Sequence, residues 1–429
     1  MNAQQWDWAY AVTKDSLQNT LCILQKTLID GSGNIYTNNY GDVVFSLPNG
    51  DKKIKRNRVA KLSPNGDFMQ EFGNFQWLSN YIVDKNENVY MVGRDTLLSS
   101  EYFSVCKYDS NGNLIWRTDI GQKIYGAVIE TICLVSDGIL LGGDWTYYAG
   151  QWAGYYKPFI AKYSFNGKLI FCYKYESSNG SNDGERIAKI IADKNDAFYV
   201  IGHLTFLSHS LTFTDSIKQI AISNASSDEF LVKYNNLGII DWVKVLNEPV
   251  IMCSAELERD TLYFGAYKTI PSYEVDISKF DSSGTFLNTI KLFNAGNGSQ
   301  IAGIRFDSLH NMYACGFFRD SLIIGNKFFP SQGYGVANWF MIKQDIDANN
   351  NFWHIVPFNG SCWGNFDLNQ QGEIGLGFNY TDTVVFANSV FTPGAFDYRG
   401  AVISKLSGNL NSNTNEFQIP LQTPHKYMM

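Results

Sequence analysis

The chain has 429 residues, 45% hydrophobic and 15% aromatic but only 17% charged, with a formal net charge of −7. A charged fraction below the globular norm of roughly 25%, combined with abundant aromatics, suits pleated, half-buried strands better than exposed helices. The acidic balance excludes nucleic acid as an expected partner, since phosphate binding needs a basic face, and no apolar run approaches the roughly 18 residues of a membrane-spanning helix.

In chain order, the first strand candidate is Trp6-Asp7-Trp8-Ala9-Tyr10-Ala11-Val12, which stands ahead of any repeat. Two motifs then alternate. One is a turn, an apolar strand and a glycine: IDGSGNIYTNNYG (29–41), VDKNENVYMVG (83–93), VSDGILLGG (135–143), ADKNDAFYVIG (192–202), LERDTLYFGA (257–266), FDSLHNMYACG (306–316) and LNQQGEIGLG (368–377). The other sets a lysine before a turn cluster, at Lys61, Lys107, Lys162, Lys233, Lys279, Lys343 and Lys405. In KYDSNGNLIW (107–116) alternating residues flank an Asn-Gly pair, a short-range hairpin signal because both residues tolerate positive φ. Trp116, Trp242 and Trp353 follow such turns by a few residues.

The lysines stand on average about 57 residues apart, within the range of propeller blades. Each unit reads as four antiparallel strands: A before the acidic turn, B ending at the glycine, C ending at the lysine, and D after the second turn. The expectation is therefore an all-β, single-domain chain over 1–429, a seven-bladed β-propeller of four-stranded antiparallel blades. After Lys405 a polar tail, 410–429, stands where the last D strand belongs. Residues 6–12 are expected to fill that slot and close the ring on the blade built from about 361 to 407. The rival is Phe417-Gln418-Ile419-Pro420-Leu421, where Pro420 suits only an edge.

These units, with GFFRDSLIIGNKFF (316–329) before a lysine hairpin, resemble the blade repeats of secreted bacterial β-propellers of the Bacteroidetes kind. Met1-Asn2-Ala3-Gln4-Gln5 resembles the residues around the signal-cleavage point of such proteins. Asp followed by Ser or Thr and an aliphatic residue, at Asp15, Asp95, Asp215, Asp260, Asp307, Asp320 and Asp382, resembles their O-glycosylation motif, though turns into strands explain the same triplets. The resemblance implies a scaffold and an extracellular or cell-surface location. Cytoplasm or a virion is the alternative, and function must be argued from sites.

Strand alternation puts the B–C and D–A connections on one face and the short, repetitive A–B and C–D turns on the other. The B–C connections differ from blade to blade, so binding is expected there. Within GGDWTYYAGQWAGYYKPF (142–159), Trp145, Tyr147, Tyr148, Trp152, Tyr155 and Tyr156 offer apolar faces with polar tips, suited to sugars or protein hot spots. The run Asp51-Lys52-Lys53-Ile54-Lys55-Arg56-Asn57-Arg58 is expected to be a solvated edge of blade one.

Catalytic, metal and cofactor sites are not expected. The acidic turns lack the ligand run of a calcium loop, His203, His209, His310, His354 and His425 are scattered, and the seven cysteines read as buried strand thiols. The leading expectation is a non-catalytic binding module recognising a glycan or protein through the B–C face. The alternatives are a polysaccharide lyase, hydrolase or lactonase at the central channel, with acids or His converging on the inner strands and a bound cation, and a docking ring in a surface or virion assembly.

Overall fold

The computed structural model describes residues 7–14, 23–95, 103–120, 125–148, 154–177, 186–204, 210–223, 228–246, 250–268, 274–295, 299–318, 321–324, 327–330, 338–345, 362–381, 384–386, 389–392 and 400–406. Among them there is no helix. The chain folds as a seven-bladed β-propeller whose inner A strands are Leu24–Ile29, Phe75–Val83, Tyr125–Val135, Arg186–Ala192, Val250–Glu258, Gln300–Phe306 and Cys362–Leu368. Six blades show all four antiparallel strands, and the sixth in sequence shows three, because the segment that would hold its D strand, with Trp353, lies outside the described residues.

Closure follows the N-terminal reading, two residues later than expected. Trp8–Lys14 is antiparallel to Gly400–Leu406, with Trp8 opposite Lys405 and Val12 opposite Ala401, while 417–421 lies outside the described residues. The seam is reinforced by side chains of blade seven that grip the A strand of blade one. Asn379 accepts from Leu24 N at 2.7 Å and donates to Leu24 O at 2.9 Å, and Asn365 accepts from Thr27 N at 2.7 Å and donates to Gln25 O at 2.7 Å. An inner strand has one unpaired edge, and these amides satisfy it where no further strand can reach.

The repeated motifs have physical meanings. In the opening hairpin, Asp109 Oδ1 accepts from the amides of Asn111 and Asn113 at 2.9 and 2.8 Å, while Gly112 takes φ +82. Only the glycine is left-handed, so this is a longer turn with one αL residue, not the two-residue form in which both central residues have positive φ. Elsewhere Glu87, Asp196 and His310 take that slot at φ 62, 63 and 66.

The repeated lysine is structural in five blades. There it pairs directly with a B-strand tyrosine and lies over the ring, at 5.5 Å for Lys61 on Tyr36 and 5.1 Å for Lys107 on Tyr90, Lys233 on Tyr199 and Lys343 on Tyr313, with Lys279 on Tyr263 at 5.3 Å. Such contacts are worth roughly 0.5–2 kcal/mol each. Where the B strand has Leu140 or Gly375 opposite instead, Lys162 turns to Asp137 at 2.8 Å and Lys405 to Glu373 at 3.0 Å.

The glycine ending the B motif answers a bulge. Six A strands share a skip in register, at Gln25, Ser79, Glu130, Ala188, Cys253 and Ala302, with a second one between Phe75 and Trp77 and between Tyr125 and Val128, and blade seven has none. Opposite four of these bulges stand Gly93, Gly143, Gly202 and Gly316, where a Cβ would meet an A-strand carbonyl at 2.0–2.4 Å.

Blade-to-blade packing is equally regular. At four junctions a D-strand aromatic covers the C–D turn glycine of the next blade, Trp8 and Tyr10 on Gly66, Trp116 on Gly167, Phe171 on Gly238 and Trp242 on Gly284, whereas Gly112 meets Glu71 O and Gln70. Two inserted B–C hairpins add to the preceding blade. Val43–Leu47 and Gly50–Ile54 leave blade one to pair with the closing strand, and Ser321–Ile324 with Lys327–Pro330 leave blade six to pair with the D strand of blade five. The basic run 51–58 therefore begins on the outer edge of blade seven, not blade one, a placement set by hairpin crossover that no local pattern announces.

Candidate functional site

Of the six aromatics in the predicted binding stretch, five lie on strands and not on a loop. Trp145, Tyr147 and Tyr148 end the strand Gly138–Tyr148, and Tyr155 and Tyr156 begin Gly154–Ser164, with Tyr147 opposite Tyr155 and Thr146 opposite Tyr156. Trp152 lies outside the described residues. This hairpin projects on the B–C face. On the opposite face, where the A–B turns gather, the described residues enclose a central funnel of 720 Å³, leading to an inner compartment of 140 Å³.

The funnel wall follows from the register of the A strands. One residue past the bulge in blades one to six, and at the equivalent position of blade seven, the inner strands present Lys26, Asn80, Thr131, Lys189, Ser254, Gly303 and Asn365. Two residues further, on the same strand face, they present Leu28, Ile82, Cys133, Ile191, Glu256, Arg305 and Asp367. The second set is apolar or thiol-bearing over blades one to four and charged over blades five to seven. Residues between 26 and 367 in sequence thus meet at one point, which only ring closure achieves.

Arg305 is the centre of the charged arc. Its Nε donates to Asp367 Oδ1 at 2.7 Å, and its Nη1 to Glu256 Oε2 at 3.1 Å and to Ile304 O at 2.8 Å. Burial opposes the guanidinium charge, but the two carboxylates outweigh it and raise the Arg305 pKa. Asp367 Oδ2 also accepts from Ile29 N at 3.2 Å, tying the arc to the seam. Lys26 Nζ donates to Asn80 Oδ1 at 2.9 Å and to Tyr81 O at 2.7 Å. Burial, then the nearby Lys189 charge, brings its ammonium down to about 7, and burial followed by Arg305 lowers Lys189. Burial pushes the Cys133 thiol up to about 11.

A reactivity difference follows. At pH 7 about half of the Lys26 amine is neutral, against well under 0.1% for an ordinary lysine near 10.4. Brief acylation at pH 7 is expected to mark Lys26 ahead of surface lysines, with the preference fading below pH 6 as the amine protonates. Uniform labelling in peptide mass spectra would count against the lowered amine.

The other sequence candidates separate from this site. His203 Nδ1 lies 3.1 Å from Glu229 Oε1 and His310 contacts Glu258, while His209, His354 and His425 lie outside the described residues. Cys106 and Cys315 are buried free thiols, and Cys133 and Cys172 are half-buried ones, all four on strands. Among the described residues no three metal-ligating side chains cluster. Of the Asp-Ser/Thr triplets, Asp215 accepts from Ile217 N and Lys218 N, and Asp307 from Leu309 N and Asn311 N, which is turn chemistry.

No protein-family model matches the chain, and no curated protein matches it. Solved structures similar to it include the quinohemoprotein alcohol dehydrogenase ADHIIG from Pseudomonas putida HK5, at 11% identity and a TM-score of 0.44, covering 98% of this chain and 78% of that one. The β-propeller domain of the Trilobed protease from Pyrococcus furiosus is similar at 10% identity and a TM-score of 0.40, over 79% of this chain and 98% of that one. A protein of unknown function from Bacteroides caccae is similar at 9% identity and a TM-score of 0.33, over 67% of this chain and 94% of that one.

Proposed function

We propose that the chain is a non-catalytic binding propeller that takes its ligand into the central funnel from the A–B turn face. The observation that carries this is the set Lys26, Lys189, Glu256, Arg305 and Asp367, one residue from each of five blades, set among apolar and neutral side chains below a mouth that carries Asp30, Asp84, Lys85, Glu87 and Glu258. Concave sites with a few convergent polar groups on an apolar lining are where small ligands bind. Binding is favoured over catalysis because both carboxylates are committed to Arg305, and a carboxylate held by a guanidinium is a poor general base.

The second reading keeps the aromatic hairpin of the B–C face as a glycan or protein site. It is favoured by the strand pairing that sets Trp145 opposite Lys157 and Tyr147 opposite Tyr155 at the hairpin's outer end. Export to the cell surface or medium belongs with either reading and rests on the resemblance of the repeats and the N-terminal residues.

Capture on an array of envelope glycans and proteins separates the readings. Ser254→Phe, which fills the inner compartment, is expected to abolish capture, while Trp145→Ala with Trp152→Ala retains it, both at a melting temperature near that of the parent chain. The reverse result moves the site to the hairpin. A parent chain that captures nothing favours a ring that only docks in an assembly.

A further inference from the structure

The charged groups of the funnel differ in what they have left to give. Arg305 commits three of its five N–H donors, to Asp367, Glu256 and its own strand, and its charge faces two carboxylates, while Asn365 is spent on the backbone of blade one. Lys26 uses two of the three protons of an ammonium, on Asn80 and Tyr81. Lys189 makes no hydrogen bond or ion pair with any described residue, although it lines both the funnel and the inner compartment. Lys189 is half-buried, and Glu256 and Asp367 act on it only through space, so its ammonium has no direct partner to offset the water it has lost.

The carboxylates at the mouth do not supply that partner. Asp30 and Asp84 accept the amides of their own turns, Glu87 binds Lys61 at 2.6 Å, and Glu258 contacts His310. Deeper in, three basic groups face two carboxylates, an excess of at most one positive charge, reached when Lys26 and Lys189 are both protonated, as a bound anion would favour. A carboxylate group brings one negative charge to that excess, whereas a phosphate group near pH 7 brings close to two, and part of the fork geometry that suits phosphate is already occupied at Arg305.

Resting on the funnel reading, we infer that the ligand carries a carboxylate, clasped between Lys26 and Lys189, with its uncharged body against Leu28, Ala255 and Phe366. Both the acid end of a glycan and a small organic acid supply this chemistry. Because Lys26 holds its proton only up to about pH 7, affinity weakens as pH rises through that value; the other groups facing it are Lys189, Arg305, Asp367, Glu256 and the Cys133 thiol.

The test uses the full chain and the acylation rates of Lys26 and Lys189 at pH 7, with succinate, galacturonate, trigalacturonate, galactose and inorganic phosphate as probes. At least one carboxylate is expected to slow both lysines ten-fold or more, and Lys189→Met to weaken that probe's binding at least ten-fold by calorimetry. Protection by succinate alone assigns a small organic acid, and by trigalacturonate alone an acidic glycan. No protection by any acid, or equal protection by galactose or phosphate, overturns the carboxylate. If galactose protects and Ser254→Phe removes that protection, the funnel stands and only the ligand class falls.

Discussion

Aspartate in place of Val12 is expected to open the ring. Val12 is fully buried, pairs with Ala401 on one side and Phe45 on the other, and belongs to an apolar cluster with Leu24, Ile35 and Ile403. The side chains of that cluster are apolar, so the charge must be left uncompensated or neutralised by a proton. The cost is about 3–5 kcal/mol, comparable with leaving one member of a buried ion pair alone. Among the described residues, the closing strand joins the first and last parts of the chain in a single sheet. Thermal unfolding followed by circular dichroism and limited proteolysis should both show the loss, with Val12→Ile as the apolar control. An unaltered midpoint would mean that the ring is held without this strand.

The second large effect is expected from Gly143→Ala. A methyl group there would lie 2.0 Å from Val128 O and 3.0 Å from Ile129 Cα, so backbone, not a flexible side chain, must move. The bulge at Glu130 is what brings that carbonyl close, and relieving the clash means straightening the inner strand. Overpacking of this kind costs roughly 1–3 kcal/mol, and a rigid obstacle puts it at the upper end. Gly31→Ala is the matched control, because nothing stands within 4 Å of its added methyl. Equal melting temperatures for the two variants would contradict the account of the bulge.

How much of this was legible beforehand depends on what repeats. Turn, lysine and glycine recur because each serves every blade: the Asp109 type of turn, the Lys107 on Tyr90 type of stacking and the Gly143 type of bulge are local solutions to one recurring geometry. Architecture could therefore be read from spacing. The funnel charges are the opposite case. Glu256, Arg305 and Asp367 occupy a position that is Leu28, Ile82, Cys133 and Ile191 in the other blades, and each is a single exception inside its own strand. The signal existed, since Arg305 and Asp367 both stand two residues before the turn residue, Asp307 or Asn369, just where Leu28, Ile82 and Ile191 precede theirs. Reading it needed the blades aligned on the turn and compared column by column. The aromatic cluster at 145–156 stands out in the sequence because it is contiguous, a property that a ring-built site lacks.

The hairpin that crosses from blade one has a mechanical consequence. Strands near a chain end ordinarily fray, having a partner on one side at most. Trp8–Lys14 instead lies between Gly400–Leu406 and Val43–Leu47, an interior member of a six-stranded sheet. Its amides should exchange with deuterium at the pace of the whole ring, and a force drawn through the N-terminus must shear two ladders together before any blade unravels.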